Sequence, residues 1–171
     1  MRRGTVYVWL RDMVIALVAS IFIITVLYEP VRVEGSSMQP GLRDQDRLFI
    51  EKFFFRFETI NRGDVVVFHY PRDPEQSYIK RVIGLPGDII AIHQGRVFVN
   101  NLPIDEPYVP LRYRDTVSMG EMVVPPDEYF VMGDHRRISS DSRAFGPVER
   151  SYIYGKAEFI YWPADNVGVV R

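Results

Sequence analysis

Three short stretches of this chain carry side chains that could do chemistry together. Gly35-Ser36-Ser37-Met38-Gln39-Pro40-Gly41-Leu42 sets two adjacent hydroxyls beside a glycine and just ahead of a Pro-Gly turn signal, so the backbone there must bend and be exposed. A serine on such a bend can present its hydroxyl to a substrate from a fixed position, but it needs a base to become a nucleophile. Lys80, in Tyr78-Ile79-Lys80-Arg81-Val82-Ile83-Gly84-Leu85-Pro86-Gly87-Asp88, is a candidate base. Strand alternation sets Tyr78, Lys80 and Val82 on one face and Ile79, Arg81 and Ile83 on the other. Apolar neighbours desolvate a lysine and lower its pKa. Service near neutral pH requires a fall from about 10.4 to about 7, a differential of roughly 4–5 kcal/mol. The third stretch is the polar loop from Gly133 to Pro147. In it Asp141 and Arg143 can pair to hold the loop, and Ser139 or Ser140 can hydrogen-bond a neutral lysine amine. Taken singly, each stretch also has an ordinary reading: a turn serine, a strand lysine snorkelling over an apolar face, and a capped surface turn.

The elements that must position these residues are of two kinds. Met13 to Tyr28 runs without a charge and is apolar all round. Sixteen helical residues span about 24 Å, short of the roughly 30 Å hydrocarbon core, and Val6 to Leu10 lengthens the apolar region, with Trp9 near the interface. This reads as a membrane anchor at 13–28, against the alternatives of a buried core helix or a cleaved signal peptide. Thr25-Val26-Leu27-Tyr28-Glu29-Pro30 offers no small-x-small cleavage site, which favours an uncleaved anchor. Arg2, Arg3 and Arg11 against Asp12 make residues 1–12 a net-positive flank, so the positive-inside rule expects a cytoplasmic N-terminus and an extracytoplasmic domain over 29–171.

Beyond the anchor the pattern is that of strands. Asp64 to Tyr70, Tyr78 to Ile83, Ile89 to His93, Arg96 to Asn100, Glu128 to Met132 and Ile153 to Trp162 are short apolar or alternating runs between turn signals. Gln94-Gly95 predicts a hairpin. Residues 102–126, rich in Pro, Tyr and charge, read as an irregular insertion. Phe53-Phe54-Phe55-Arg56-Phe57 reads either as a core strand with a crowded edge or as a patch that dips into the membrane interface. The fold class expected is therefore mainly β, with one N-terminal transmembrane helix.

Composition excludes several classes. At 171 residues the chain is long enough for one well-packed domain and too short for two ordinary ones. A net charge of −1 gives no nucleic-acid footprint. With no cysteine there is no disulfide, thiol catalysis or cysteine metal site. His69, His93 and His135 lie on different expected elements without a ligand spacing, so no metal and no cofactor are expected.

In order along the chain, Ser-Met-x-Pro at 37–40, Lys-Arg-Val-x-Gly-x-Pro-Gly-Asp at 80–88 and Gly-Asp…Ser-x-Asp-Ser-Arg-x-Phe-Gly at 133–146 follow an N-terminal anchor. This arrangement resembles the type I signal peptidases, membrane-bound Ser/Lys proteases that remove signal peptides from exported proteins, in their compact single-anchor, Gram-positive-like form. The resemblance covers nearly the whole chain and implies a compact β-rich catalytic domain facing the membrane surface. It implies Ser37 as nucleophile, Lys80 as general base and Ser139 orienting the lysine amine. Asp141 and Arg143 would form a structural ion pair, and the backbone N–H of Ser37 would lie in the oxyanion hole. Gly35 stands where some members carry a further hydroxyl, and His135 and Ile138 stand where the family often shows Asn. The substrate implied is a preprotein signal peptide with small residues at the first and third positions before the cut. Such a peptide is expected to pair as a strand beside Val31 to Gly35 and beside Ile79 to Val82. Alternation then suggests small pockets lined by Val33, Ile79 and Val82. The expected partners are preproteins and membrane lipid, and the rival readings are a single-substrate peptidase of pilin type or a non-catalytic tethered β domain. A self-cleaving repressor, which shares the dyad, would need an Ala-Gly site that the chain lacks.

Overall fold

Helix α1 (Arg2–Leu27) runs 26 residues, about 39 Å at 1.5 Å per residue. It stops where Pro30 disfavours helical backbone in the residue before it, and β1 (Tyr28–Arg32) starts at once. The computed structural model describes residues 2–170, and within α1 the side chains at positions 2–5, 23, 24 and 26 lie outside the described set. Three of these fall in the apolar run read as an anchor. Among the described residues, no helix is long and apolar enough to cross a membrane. The α1 side chains that are described, such as Trp9, Leu17 and Phe22, are exposed.

After α1 the described chain is sheet and turn apart from a few single-turn helices. β1 pairs antiparallel with β2 (Arg47–Glu51), in register from Tyr28↔Glu51 to Arg32↔Arg47. β3 (Val65–Tyr70) and β4 (Asp73–Gly84) form the next hairpin. β5 (Ile89–His93) and β6 (Arg96–Val99) close over Gln94-Gly95, both at positive φ, as a two-residue hairpin of this type demands. β7 (Leu102–Pro103) and β8 (Met119–Val123) follow, then β9 (Glu128–Met132), the single-turn α2 (Ser142–Phe145), β10 (Val148–Glu149), β11 (Ile153–Trp162) and β12 (Gly168–Val169). The larger sheet has the order β1-β2-β11-β3-β4-β9-β10 with β12 on β11, and the smaller has the order β7-β6-β5-β8. Residues 102–126 are thus not wholly irregular. They give β7 and β8 to the smaller sheet, where Met119 and Met122 reach its core.

Alternation explains the core. In β3, Val65 and Val67 pack with Leu48, Ile50 and Ile160 on one face. Val66 and Phe68 pack with Val82, Val131 and Ile153 on the other. A strand buried on both faces must be a continuous apolar run, and Val65 to Phe68 is one. A third cluster around Ile83, Ile90, Phe130 and Met132 welds the smaller sheet to β4 and β9.

The phenylalanine stretch departs from the strand expectation. Phe54–Arg56 is a 3₁₀ turn. The Glu51 carboxylate accepts from the N–H groups of Phe54 (2.5 Å) and Phe55 (2.6 Å). Only Phe55 is buried, while Phe53, Phe54 and Phe57 are 47%, 50% and 81% exposed. A carboxylate at the end of β2 captures the next two N–H groups, and this local bond curls the chain before alternation can act.

Candidate active site

Ser37 sits in the long loop that joins β1 to β2. Its position is set by its neighbours. Gly35 has φ +95° and donates its N–H to the Asp44 carboxylate at 2.8 Å; only a residue without Cβ adopts that φ without strain. Met38 and Leu42 are almost fully buried in the first core cluster, each contributing roughly 1.5–3 kcal/mol by burial. The Leu42 N–H bonds to the Met38 carbonyl at 3.0 Å, and the His135 N–H bonds to the Ser37 carbonyl at 2.9 Å. The turn is therefore held by apolar anchors on one side and by the polar loop on the other. Among the described residues, no backbone hydrogen bond uses the Ser37 N–H.

Lys80 lies on β4, opposite Val66 of β3. It is 4% exposed, with Nζ 2.8 Å from Ser37 Oγ, 3.0 Å from the Ile79 carbonyl and 5.1 Å from the Tyr78 ring centre. Burial lowers its pKa from 10.5 to about 8, against the opposing pull of the Asp141 and Asp134 carboxylates. Desolvation wins because those carboxylates are spent on arginines. Asp141 accepts from Arg143 Nε and Nη2, both at 2.8 Å, and Asp134 accepts from Arg81 at 2.9 and 2.6 Å.

Asp141 also receives the Gly133 N–H at 3.0 Å and caps α2 through the Arg143 N–H at 3.2 Å. Burial pushes its carboxyl up, but the Arg143 hydrogen bond and charge outweigh that and hold it below 3.8. At Asp134 burial prevails and raises the carboxyl above 3.8, in spite of Arg81. Arg143 further bonds the Arg136 carbonyl at 2.9 Å and pairs with Asp115, tying the loop to the segment before β8.

Ser139 is placed behind the site. Its Oγ is buried and has no hydrogen-bond partner among the described residues. Asp141 is near enough for the Ser139 hydroxyl to lower its pKa, yet the contact misses hydrogen-bond geometry. Neither Ser139 nor Ser140 bonds to Lys80 among the described residues. Gly133 lies between Ser139 and the Ser37 turn: a Cβ there would collide with Ser139 Oγ and stand 2.6 Å from the Ser37 carbonyl.

A cleft of about 800 Å³ opens over Ser37 and Lys80, walled by Val31, Val33 and Gly35 from the β1 side and by Ser77 and Ile79 from β4. Ser140 and Ile138 line its rim; Val82 does not line it. Val82 is 0% exposed and packs with Val66, Phe68 and Val131 beneath β4. This corrects the expectation that it lines a small pocket. Alternation alone names a face and does not say whether that face is covered. Among the described residues no cluster of His, Asp or Glu has the geometry to hold a metal.

Reading the sequence alone misses two buried ion pairs that shape the site. Asp134 and Arg81 form a buried ion pair next to Lys80 in the chain; the Lys-Arg and Gly-Asp dipeptides inside the two motifs are its only local signal. Glu106 forms a buried ion pair with Arg136, from inside the stretch that reads as an insertion, where no sequence signal marks it.

The chain's comparisons agree with one another. A family model described as "Signal peptidase, peptidase S26" matches residues 6–162. Signal peptidase I P of Bacillus subtilis subsp. natto is 34% identical over 175 residues, covering 97% of this chain and 94% of that protein. A probable signal peptidase I-2 of Synechocystis is 39% identical over 168 residues, covering 94% of this chain and 75% of the other. The crystal structure of a signal peptidase I from Enterococcus faecalis superposes with a TM-score of 0.52 at 29% identity, covering 58% of this chain and 97% of that one. With the family model spanning most of the chain and relatives matched nearly end to end, the chain belongs to the signal peptidase family, peptidase S26.

Proposed function

We propose that this chain is a signal peptidase I that cuts preproteins after small-x-small sites with a Ser37/Lys80 dyad. The observation that carries this reading is the 2.8 Å contact between Lys80 Nζ and Ser37 Oγ inside a buried, lysine-desolvating site. That distance lies within hydrogen-bond reach for proton abstraction. With a pKa of about 8, roughly one lysine in ten is neutral at pH 7, whereas an unshifted lysine would be neutral about once in several thousand.

Neutral Lys80 takes the Ser37 hydroxyl proton as Oγ attacks the scissile carbonyl. The free Ser37 N–H donates to the oxyanion that develops. The lysine proton then passes to the leaving amine, which leaves an ester on Ser37. Lys80 next deprotonates a water that attacks the ester, and the proton returns to Ser37 as the signal peptide carboxylate departs. Ser139, whose buried hydroxyl lacks a partner, turns to the lysine amine as it loses its proton. Asp141 and Arg143 hold the loop beneath. The peptide lies extended between the β1 side and β4, its small residues facing Val33 and Ile79 and its backbone passing Gly35.

The apolar run at 13–28 acts as a single-pass anchor with residues 1–12 in the cytoplasm and the β domain outside, in contact with membrane lipid. Its support is the charge asymmetry of the flank and the uncharged apolar sequence from Met13 to Tyr28. The test is cleavage of a preprotein bearing an Ala-x-Ala site by the wild type, Ser37→Ala and Lys80→Ala in detergent. A wild type that cuts after the second Ala, beside two inactive variants, supports the proposal; activity surviving in either variant overturns the dyad. Protease protection in sealed vesicles tests the topology separately.

A further inference from the structure

Two peptide units flank the Ser37 Cα, and one residue grips both. The His135 N–H donates to the Ser37 carbonyl at 2.9 Å, and the His135 ring Nδ1 lies 3.3 Å from the Ser36 carbonyl. A carbonyl oxygen only accepts, so this bond puts the ring proton on Nδ1. The Ser36 carbonyl also takes the Gln39 N–H at 3.2 Å. That oxygen thus has two donors. The imidazole is itself fixed from outside the polar loop. Tyr113 meets it edge to face, with ring centres 4.5 Å apart. The Arg137 Nε bond to the Arg114 carbonyl, at 2.8 Å, ties the Tyr113 segment to the loop. The His135 carbonyl in turn accepts from the N–H groups of Ile138 at 3.2 Å and Ser139 at 3.1 Å.

The Ser36 carbonyl and the Ser37 N–H are the two ends of one planar peptide unit. A donor that fixes the oxygen therefore fixes the direction of the N–H. It also draws electron density toward the oxygen, which makes the opposite N–H a stronger donor. Among the described residues the Ser37 N–H has no backbone partner, and it is the donor that the proposed mechanism aims at the oxyanion. Gly35, two residues before it, has no side chain with which to add a second donor. Preorganised donors are effective because they need no reorganisation as charge develops. A site with few donors gains most from holding one of them rigidly.

We infer that His135 is a positioning residue for the cleavage reaction: its imidazole Nδ1–H holds the Ser36–Ser37 peptide unit with the Ser37 N–H turned to the oxyanion, and Tyr113 holds the imidazole. His135 acts through the peptide that it orients and not on the reacting atoms. The inference rests on the Ser37/Lys80 reading of the site. It also gives the segment between β7 and β8 a part in the reaction, because Tyr113 braces the ring from there.

The test compares the full-length wild type, His135→Phe and His135→Asn in detergent on a preprotein with an Ala-x-Ala site, with Ser37→Ala as the control for the dyad. Phe keeps a ring against Tyr113 and loses the donor. Asn loses the ring and keeps an amide N–H near the place of Nδ1. In His135→Phe kcat, taken per folded enzyme, should fall about tenfold, less than the roughly 10²–10³ lost with an oxyanion donor itself. KM should not change, and His135→Asn should stay close to wild type. A peptide aldehyde reads the oxyanion site directly, since its carbon takes Ser37 Oγ and its oxygen then sits where the oxyanion develops. Its Ki should rise in His135→Phe by the factor that kcat loses. The same peptide with a methylene-amine link in place of the scissile amide has no carbonyl there, and its Kd should not change. Tyr113→Leu, which frees the ring and leaves the donor, is the second variant: the same split to a smaller extent supports the inference, and wild-type kcat overturns it. Wild-type kcat in His135→Phe, a His135→Asn as slow as His135→Phe, or a methylene-amine Kd that weakens along with the aldehyde Ki each overturn the inference and leave the dyad standing. A Ser37→Ala form that still cuts overturns the dyad, and the inference with it.

Discussion

At the scale of single residues, the chemistry turns on one proton. In the proposed dyad Lys80 acts as a base only when neutral, so cleavage should rise with pH and level off above about 8, the pKa to which burial lowers it. A pH–rate profile of kcat/KM checks this, and Lys80→Arg, a cation that does not lose its proton, should be inactive throughout. The same shift is a stability statement. Folded Lys80 releases its proton near pH 8 and the unfolded chain near 10.5, so stability rises with pH between those values and the full penalty is felt below 8. The penalty is roughly 3 kcal/mol. Lys80→Met should therefore be inactive yet melt at a higher temperature than wild type at pH 7, as read by calorimetry. Asp141 runs oppositely: its lowered pKa gives stability that is present above 3.8 and lost as the pH falls through the folded value. Asp141→Asn leaves Arg143 facing only Asp115 and should cost about 3–5 kcal/mol, measurable by urea unfolding.

At the scale of elements, the site is a meeting of one loop from each of two distant stretches with one strand. The β1–β2 loop brings Ser37, β4 brings Lys80, and the loop after β9 brings the hydrogen bond from His135 that fixes the Ser37 carbonyl. Gly133 is the seam between the two loops. Gly133→Ala would press a methyl against Ser139 Oγ and the Ser37 carbonyl, and should cost about 1–3 kcal/mol. It should also reduce kcat more than the loss of Tm alone explains, because Ser37, the proposed nucleophile, is displaced. Steady-state kinetics on the still-folded fraction distinguishes these. The 3₁₀ turn at Phe54–Arg56 belongs to this scale as well, since its geometry follows from one carboxylate. Glu51→Ala removes two charge-assisted hydrogen bonds and should destabilise the domain by about 1–3 kcal/mol.

At the scale of the whole molecule, α1 and the β domain are nearly independent. The α1 side chains from Val6 to Phe22 are exposed and belong to none of the three core clusters. Removing residues 1–27 should leave the thermal transition of the domain within a few degrees of the full chain, a difference below about 1 kcal/mol. Circular dichroism melts of both forms in the same detergent check this. The two sheets, in contrast, are not separable. Cluster residues of β4 and β9 pack with those of β5 and β6, and the Glu106–Arg136 and Asp115–Arg143 pairs bridge the segment between β7 and β8 to the loop after β9.

What the sequence determined by itself is what local sterics and short-range pattern control. The two-residue hairpin at Gln94-Gly95, the doubly buried run at Val65 to Phe68, the helix stop before Pro30 and the bend at Gly35 all follow from residue type and period over a few positions. The three motifs could be found for the same reason. Each is a contiguous string whose glycines, prolines and charges are visible without a fold. What only the tertiary structure decided depends on pairing across the chain. Forty-three residues separate Ser37 from Lys80, and their 2.8 Å contact requires β11 to insert between β2 and β3, an order no local pattern encodes. The desolvation of Lys80, the covering of Val82, the curl of Phe53 to Phe57 and the Glu106–Arg136 pair are of the same kind. Burial and charge pairing are properties of the surroundings that packing supplies, and a residue's own neighbours in sequence supply only part of them.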